Sequence, residues 1–514
     1  MNYKKIITIS LILVLSFSLT GCMEDIFSGK VSTTKTGSIN GIIKNNEGKT
    51  LSGVSVNIGN KNATTNEDGL FKINELQTGG YNLVVNHSDF KKKEVSITVN
   101  EGSNNLDTIV LEKDQNNNIV TFEDSNLEEI VRKKINKSSG YIYKEELKEI
   151  TKLEAKNKNI SSLKGIQYLT NLNELLLPEN NISDISYLSD LSELNRLWLG
   201  SNEINNIGSL ENLNNLENIG IGDNEIENIS ALSNLNNLTY LHLGGNKISD
   251  ISPLSNLTNL IELHLLENQI SNITPLKNLT SLNELSLNTN QISNINPLSN
   301  LNNLEYLYID SNQLSDISPL SNLTNLKELY LPDNQITNIS PLSNLNNLEE
   351  LDLNKNEIDN INALSNLTNL NNLNLNNNQI NNIDPLSNLT SLKVLNLCSN
   401  NITNVDSLKN LNNLTHLGLH FNQLENINPL SNLTNLNSLY LWHTGISDIS
   451  PLSSLTELGK LSIRDNNIKD IQVLLELENL ELVKMQNNEL DLTEDSEDMQ
   501  VINELESRGV ELTY

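Results

Sequence analysis

The sequence predicts a mainly β solenoid of the α/β type, preceded by a small all-β sandwich. From Leu153 to Leu492 one pattern recurs every 22 residues without an insertion or deletion. At that spacing leucine fills every position from residue 169 to residue 477, fifteen times in succession. Residues 37–113 instead contain short alternating apolar runs between Asn, Asp and Gly turns, which is typical of a sandwich. A fixed period over so many units indicates a solenoid in which each unit packs only on its neighbours.

Each unit of the repeat predicts one strand and one return turn. The copy from Pro253 to Thr274 reads PLSNLTNLIELHLLENQISNIT, which fits the leucine-rich repeat pattern L-x-x-L-x-L-x-x-N-x-L. The position after each strand, from Asn180 to Asn488, holds Asn fourteen times in fifteen, and Thr444 is the exception. Because a buried amide must be hydrogen-bonded, we predict a ladder of Asn side chains that joins neighbouring loops.

The charge and cysteine content limit the classes of partner. The chain has 514 residues and a formal net charge of −30, and no basic face is found in the sequence. Since phosphate binding needs such a face, nucleic acid is excluded, and a basic or weakly charged partner is favoured. The two cysteines, Cys22 and Cys398, provide no disulfide framework, so packing of the repeats must stabilise what we expect to be a monomer.

Residues 1–21 have the organisation of a secretory signal, with basic residues first, an apolar run from Ile6 to Phe17, and small residues before Cys22. The junction Leu19-Thr20-Gly21-Cys22 resembles the lipobox of bacterial lipoproteins, which implies a diacylglyceryl group on the Cys22 sulfur and cleavage just before it. Two acyl chains are enough for stable anchoring. The resemblance predicts a lipid anchor at Cys22, a tether over residues 22–36 and a place on the extracytoplasmic face of the cell membrane. The alternative is ordinary cleavage and a free thiol.

Residues 37–113 contain six predicted strands: Ile39–Ile43, Val54–Ile58, Leu70–Ile73, Tyr81–Val85, Val95–Val99 and Ile109–Leu111. The segments Gly48–Val54, Thr65–Phe71 and Gly79–Tyr81 resemble the carboxypeptidase regulatory-like domain. This resemblance implies a small Greek-key sandwich that serves as a spacer and carries no catalytic residues.

Residues 114–152 predict a polar linker and a helical cap for the first repeat. Apolar residues from Leu127 to Ile135 fall at helical spacing behind Asp124 and Ser125, and a shorter helix is predicted near Glu145 to Ile150. A repeat array exposes its terminal core layers unless something covers them. Residues 493–514 therefore predict a C-terminal cap, with a helix and a strand at Val510–Leu512.

The segments Phe122–Arg132 and Leu163–Leu169, together with the 22-residue units, resemble the start of internalin-type repeat domains. This resemblance implies a right-handed, curved solenoid with a parallel sheet on the concave side, 3-10 or irregular turns on the convex side, and binding of other proteins. Eight of the ten prolines occupy the same position of the 22-residue repeat. The chain enters the convex turn there, so the N–H that proline lacks is not needed for a hydrogen bond between strands. No immunoglobulin-like module or wall-sorting motif follows the repeats, so we expect Cys22 to take the place of that anchor.

The alternating strand residues that face away from the core are the candidate binding surface. Eight of the ten aromatic residues of the repeats and all five of their histidines occupy such positions. High β-propensity explains aromatic residues in strands but not the histidines, whereas a protein interface explains both. With Arg464, the candidate ligand-binding residues are Trp198, Tyr240, His242, His264, Tyr306, Tyr308, Tyr330, His416, His420, Phe421, Tyr440, Trp442 and His443.

The densest part of this surface lies around Trp442, which we predict to be an anchor beside an open slot at Gly418. Protonation of His416, His420 and His443 near pH 6 predicts tighter binding of an acidic ligand as the pH falls. The middle of the surface is acidic, and after His264 its concave positions have no basic residue until Lys355; the acidic residues are Glu262, Glu267, Glu284, Asp310, Glu328, Asp333, Glu350 and Asp352.

Two pairs on this surface are candidates for chemistry. His242 and His264 share a phase on neighbouring strands near Glu262 and are candidate ligands of a metal ion, although two ligands on an open face make a weak site. Cys398 and His420 are lateral neighbours and a candidate nucleophile and base, but a wet open face has no oxyanion hole. We therefore predict no catalytic residue, no cofactor and no resident metal.

The predicted function is binding of a protein or peptide ligand, from a host or a bacterial surface, on the concave face. Two alternatives stay open. One is a binder of carbohydrate or cell-envelope polymer, since exposed aromatic rings also stack on sugars. The other is a metal-dependent hydrolase.

Overall fold

A computed structural model of the protein describes residues 35–114 and 118–514, which fall into two compact units that divide between Asn118 and Ile119. The predicted signal, Cys22 and most of the predicted tether lie outside the described residues. Within the described part of the chain, no helix has the length and apolarity that crossing a membrane requires.

The first unit is a β-sandwich of two sheets. In one sheet β1 pairs with β4, β7 and β8, and the other sheet has the order β3-β2-β5-β6. Apolar side chains of both sheets, among them Ile39, Val56 and Leu83, are fully buried between them. The strands are β1 (Thr36–Asn45), β2 (Ser55–Ile58), β3 (Lys61–Thr64), β4 (Leu70–Gln77), β5 (Gly79–His87), β6 (Phe90–Val99), β7 (Gly102–Asn105) and β8 (Ile109–Leu111).

Two strands of this sandwich were not predicted from the sequence. β3 and β7, with the sequences KNAT and GSNN, have no buried residue and thus lack the apolar alternation that marks a strand. Their positions are set by pairing, since β3 is antiparallel to β2 and β7 is parallel to β1.

The second unit begins with a cap formed by β9 (Ile119–Val120), α1 (Ser125–Lys134), β10 (Ile142–Tyr143) and α2 (Lys144–Leu147). Asp124 is the N-cap of α1, and its Oδ1 accepts hydrogen bonds from the backbone N–H groups of Asn126 and Leu127. Its Oδ2 accepts from the backbone and the hydroxyl of Ser161, at 2.7 and 3.0 Å. One carboxylate therefore both starts the helix and fixes it to the first repeat.

The repeats form one parallel sheet in which each residue lies beside the residue 22 positions later, as Leu241 lies beside Leu263. The predicted leucine-rich solenoid with its concave parallel sheet is confirmed. The strands are β11 (Lys152–Glu154), β12 (Glu174–Leu176), β13 (Arg196–Trp198), β14 (Asn218–Gly220), β15 (Tyr240–His242), β16 (Glu262–His264), β17 (Glu284–Ser286), β18 (Tyr306–Tyr308), β19 (Glu328–Tyr330), β20 (Glu350–Asp352), β21 (Asn372–Asn374), β22 (Val394–Asn396), β23 (His416–Gly418), β24 (Ser438–Tyr440), β25 (Lys460–Ser462) and β26 (Leu482–Lys484).

Short 3-10 helices form the convex side, as predicted. Each repeat proline of the shared phase lies in the first turn of such a helix, where its missing N–H has no ladder bond to make. The helices are Ile166–Tyr168, Ser186–Leu188, Gly208–Leu210, Ser230–Leu232, Ser252–Asn256, Thr274–Asn278, Asn296–Leu298, Ser318–Leu320, Ser340–Asn344, Asn362–Leu364, Asp384–Leu386, Asp406–Asn410, Asn428–Asn432, Ser450–Ser454 and Gln472–Glu476.

The Asn ladder joins each repeat to the one before it. The amide of Asn312 donates to the carbonyls of Ile309 and Asp310 in its own loop and, at 3.0 Å, to that of Leu287 in the preceding repeat. Its Oδ1 accepts from the N–H of Ile292 in that same preceding repeat. The partners are backbone groups, so the ladder connects loops through the core and needs no contact between Asn side chains.

At Thr444 the ladder is interrupted. The Thr444 hydroxyl donates to Leu441 O at 2.7 Å, but it makes no bond to the preceding repeat. The next residue, Gly445, has a positive φ of 77°, and its N–H donates to Oδ1 of Asn466. Thr444 and Gly445 together therefore form a turn that differs from the turns of the other repeats.

The last core layer is covered by α3 (Glu497–Ser507) and β27 (Glu511–Thr513). β27 adds to the repeat sheet beside β26, one residue later than the strand that was predicted. Val501, Ile502 and Leu505 of α3 are buried against the last repeats.

Candidate binding face of the repeat sheet

Strand alternation places most of the candidate residues on the concave face. In β16, Leu263 is buried while Glu262 and His264 are half-buried and point outward. The same alternation presents Tyr240 and His242 in β15 and Tyr306 and Tyr308 in β18. The structure thus lines up the candidate residues of different repeats in rows that cross the strands.

Phe421 and His443 differ from this description. Phe421 and His443 come just after the strand of their repeat, and the backbone of each is in the left-handed region with φ of 56°. Most other repeats have a polar residue or glycine at this position. A bulky residue there costs on the order of 1 kcal/mol. Both side chains are exposed, Phe421 to 42%, so burial does not offset that cost.

Around Trp442 the structure brings together a C-terminal aromatic cluster, which we define as His420, Phe421, Tyr440, Trp442, His443 and Arg464. The indole of Trp442 stacks on His420 with 4.5 Å between centroids and 13° between planes. From the strand on the other side, the Arg464 guanidinium lies 4.2 Å from the indole centroid. Both faces of Trp442 are therefore covered, and the ring of Phe421 lies at 66° to the indole with 4.2 Å between centroids. His416 is exposed on the same strand as Gly418 and contacts Thr415 Oγ1.

Cys398 and His420 are in contact, but their protonation is unsuited to nucleophilic catalysis. Cys398 Sγ lies 2.9 Å from His420 Nδ1. Burial raises the pKa of the Cys398 thiol to about 12. Burial and the nearby Arg464 charge lower the pKa of His420 to about 4. A nucleophile and base need the opposite, a thiolate beside a basic imidazole, so this pair is a structural contact.

The low pKa of His420 removes this residue from the expected pH dependence, which stays a prediction for His416 and His443. A histidine with a pKa of about 4 stays neutral between pH 5 and pH 8. Protonation of His420 therefore does not tighten binding of an acidic ligand in that range.

The open space beside Trp442 lies on a different side from the one predicted. The slot at Gly418 is filled, because a Cβ placed there would be 2.7 Å from Cys398 Sγ. A depression of about 400 Å³ instead lies toward the C-terminus, where Ser462 is the residue beside Tyr440. We call it the basic depression; its lining residues are Tyr440, Trp442, Lys460, Leu461, Ser462, Arg464, Leu482 and Lys484.

A second group, the N-terminal aromatic cluster, consists of Trp198, Tyr240, His242 and His264. Trp198 reaches across β14 to stack on Tyr240, with 5.6 Å between centroids and 19° between planes. This contact passes over Gly220, where a Cβ would be 3.1 Å from the indole. The signal for this contact in the sequence is a glycine on the strand between two aromatic residues.

The candidate metal ligands His242 and His264 have no third ligand in place in the described part of the chain. His242 and His264 are adjacent, with ring centroids 5.4 Å apart, and burial lowers the pKa of both. The carboxylate within ion-pair distance of His264 is that of Glu284, at 4.0 Å, and not that of Glu262. In residues 35–114 and 118–514, no group of three or more His, Cys, Asp or Glu side chains is arranged to hold a metal ion.

The middle of the face is an acidic centre, which we define as Glu262, Glu284, Asp310, Glu328, Glu350 and Asp352. The Tyr308 hydroxyl donates to Glu328 at 2.8 Å, and that of Tyr330 donates to Glu350 at 2.5 Å. Tyr306 lies in register between Glu284 and Glu328. Burial, followed by the Glu262 and Glu328 charges, raises the pKa of Glu284, and burial also raises the pKa values of Asp310 and Asp352.

Comparison with known proteins agrees with this architecture. A family model described as carboxypeptidase regulatory-like domain matches residues 38–112. A model described as leucine-rich repeats, two copies, matches in stretches that together cover 257 of the 514 residues. Those matches are residues 214–256, 236–278, 280–322, 302–344, 324–366, 368–410, 390–432, 412–454 and 434–472.

Among solved structures, an internalin, InlF of Listeria monocytogenes, is 36% identical with a TM-score of 0.52, over 70% of this chain and 95% of that chain. The chain belongs to the internalin-like leucine-rich repeat proteins. A leucine-rich repeat protein of Leptospira interrogans is 27% identical with a TM-score of 0.67, over 72% of this chain and 97% of that chain.

The Arabidopsis receptor kinase HAESA, solved with the peptide hormone IDA, shares the fold of this internalin-like protein at 21% identity and a TM-score of 0.56, over 68% of this chain and 64% of that chain. A search of the curated proteins found no match. The repeat family supports a protein-interaction module as the role of this internalin-like chain.

Proposed function

We propose that this protein binds a protein or peptide ligand at a cell surface through the concave face of its repeat sheet. The observation that carries the proposal is the C-terminal aromatic cluster. Its aromatic and basic side chains meet at an open depression, which is the composition of the energetic centre of a protein interface.

The environment of Phe421 and His443 supports this surface. Every repeat has a left-handed residue at this position, but only at Phe421 and His443 does it carry a ring, and these two lie next to the interruption of the Asn ladder at Thr444. A bulky side chain in that conformation costs free energy and departs from the pattern of the other repeats, and such departures concentrate at functional sites. An exposed Phe421 that contacts Trp442 gains little from burial, so contact with a ligand is the better explanation.

The ring geometry favours a peptide over a sugar. Stacking on a sugar needs a free aromatic face, but His420 and Arg464 cover both faces of Trp442. At the other cluster, Trp198 stacks on Tyr240 and has Arg196 5.1 Å from its centroid. Both tryptophans therefore have stacked rings with cationic neighbours, which suit the side chains of a protein partner better than a sugar ring.

The attachment that we propose is the lipid anchor at Cys22. It rests on the resemblance of Leu19–Cys22 to a lipobox, in a segment outside the described residues. A lipid anchor would keep the internalin-like repeats at the cell surface, where their concave face can bind partners.

The test is a binding screen of the full chain against three panels: surface proteins, cell-envelope fractions and glycans. Each hit is measured again with Trp442→Ala and with the control variant Ile261→Ala, which removes an apolar side chain that is 46% exposed outside both clusters. We expect protein hits that Trp442→Ala removes and Ile261→Ala preserves. Hits among glycans alone, or binding that is indifferent to both variants, would contradict the proposal.

A further inference from the structure

The concave face carries acidic and basic side chains in separate parts. Strands β16 to β20 present the acidic centre, and their outward positions carry no lysine or arginine. Five strands further along, the basic depression has Lys460, Arg464 and Lys484 around it. A chain with a net charge of −30 thus concentrates three cations at one end of its candidate binding face.

We propose that the basic depression binds an acidic side chain of a peptide ligand, so that an acidic segment of the partner docks across β24 to β26. This rests on the proposed function, because it assigns a subsite and a partner chemistry to the same face.

The cations of the basic depression are available to a ligand. Lys460 and Lys484 are exposed, and neither forms an ion pair within the described part of the chain. The carboxylate beside Arg464 is Asp465, at 3.8 Å from Nε, and Asp465 Oδ1 also accepts from the Asn487 amide. The lining holds three cations, and the carboxylates next to it are those of Asp465 and of Glu511, which pairs in register with Leu482. The site keeps a net positive charge, which a carboxylate of the ligand would neutralise.

The space and the walls of the depression fit one side chain. Ser462 lies in register between Tyr440 and Lys484, and its short side chain opens the volume of about 400 Å³. Tyr440, 37% exposed, and Trp442 form an aromatic wall next to the cations. An Asp or Glu side chain flanked by an apolar residue would contact both the cations and this wall.

The acidic centre sets where such a ligand can lie. Its carboxylates already repel one another, and the charges of Glu262 and Glu328 contribute to the raised pKa of Glu284. An acidic segment would meet the same repulsion there, since like charges placed together across an interface are unfavourable. Overall composition favoured a basic or weakly charged partner, whereas the local charge at β24 to β26 selects an acidic one.

The experiment selects a phage-displayed library of random dodecapeptides on the full-length protein. We expect enriched peptides to carry Asp or Glu next to an apolar residue and to lose about tenfold in affinity on Lys484→Glu. The matched control is Lys469→Glu, which makes the same charge change at an exposed lysine outside the sheet and should alter affinity less than about twofold. Circular dichroism of both variants checks that they fold as the wild type does.

The outcomes distinguish the acidic subsite from the binding function of the concave face. Peptides that lose binding on Trp442→Ala but show no acidic preference, or that bind Lys484→Glu as well as wild type, overturn the acidic subsite and leave the concave-face function standing. A library that yields no binder, or only binders indifferent to Trp442→Ala, overturns both.

Discussion

The indole of Trp442 lies parallel to the imidazole of His420, with 4.5 Å between their centroids, while the Arg464 guanidinium covers its other face. The three residues lie in adjacent repeats at the same register, 22 residues apart. The repeat period thus produces the stack, because it places each outward side chain beside its equivalent in the next unit. Stacking of this kind also fixes the rotamer of Trp442 before any ligand arrives, which lowers the entropy lost on binding.

Stability of the solenoid should depend strongly on the Asn ladder. Asn312→Leu leaves the buried N–H of Ile292 without a partner and removes one of the two side-chain amides that donate to the carbonyl of Leu287, the other being that of Asn290, which should cost about 2 kcal/mol or more. The matched control is Asn288→Ala, which removes a half-buried amide whose partners are the side chains of Ser286 and Asp310. Urea unfolding followed by circular dichroism should show a clearly lower midpoint for Asn312→Leu only, and equal losses would refute the ladder.

His420 should make stability depend on pH in the acid range. Its pKa is about 4 in the folded protein against about 6.5 in an unfolded chain. Between these values the unfolded state binds more protons, so stability falls as the pH is lowered from about 6.5 toward 4. His420→Gln should show a shallower fall in thermal unfolding temperature over this range, and an unchanged slope would contradict the burial of a neutral His420.

Asp352 should change the pH dependence of stability in the opposite direction to His420. Burial raises its pKa, so the folded state takes up the proton at a higher pH than the unfolded state, and ionisation at neutral pH costs stability. That cost is relieved as the pH falls through the raised pKa. Asp352→Asn keeps an acceptor for the N–H of Asn354 but loses the one that accepts from the Asn374 amide, so its stability relative to the wild type should be about 0.5 kcal/mol more favourable at pH 7 than at acid pH. Asp384→Asn, at an exposed carboxylate, is the control and should change little at either pH.

Membrane attachment should depend on Cys22. Cys22→Ala removes the sulfur that would carry the acyl chains, so the protein should appear unprocessed or in the soluble fraction. Membrane fractionation of cells that express each form decides the matter. Equal retention of wild type and Cys22→Ala would rule out the lipid anchor.

The repeat architecture could be predicted because the 22-residue spacing encodes the register directly. Since residue i lies beside residue i + 22, the sequence alone makes lateral neighbours of His420 and Trp442, and of Cys398 and His420. The Asn ladder was likewise predictable from chemistry, since a buried amide has few alternatives to bonding nearby backbone.

Other features depend on side-chain packing and could not be predicted from the repeat pattern. The sequence shows that Gly418 lies beside Tyr440, but not that Cys398 and Asn396 fill the space above it. The shifted pKa of His420 follows from its burial between Cys398 and Trp442, which a strand pattern does not reveal. Strands β3 and β7 were missed because their residues are mostly polar and carry no apolar alternation.

The most direct test of the account is the affinity of wild type, Trp442→Ala and Ile261→Ala for the partner found in the surface-protein screen, measured by calorimetry. Removal of a central aromatic side chain should cost about 2 kcal/mol, or about a 30-fold rise in Kd, for Trp442→Ala. Loss of its contacts with His420 and Arg464 should lower the stability by no more than about 1 kcal/mol, so the variant remains folded. Ile261→Ala should bind as the wild type does. Equal affinity of Trp442→Ala and wild type would contradict the assignment of the binding site to this part of the concave face.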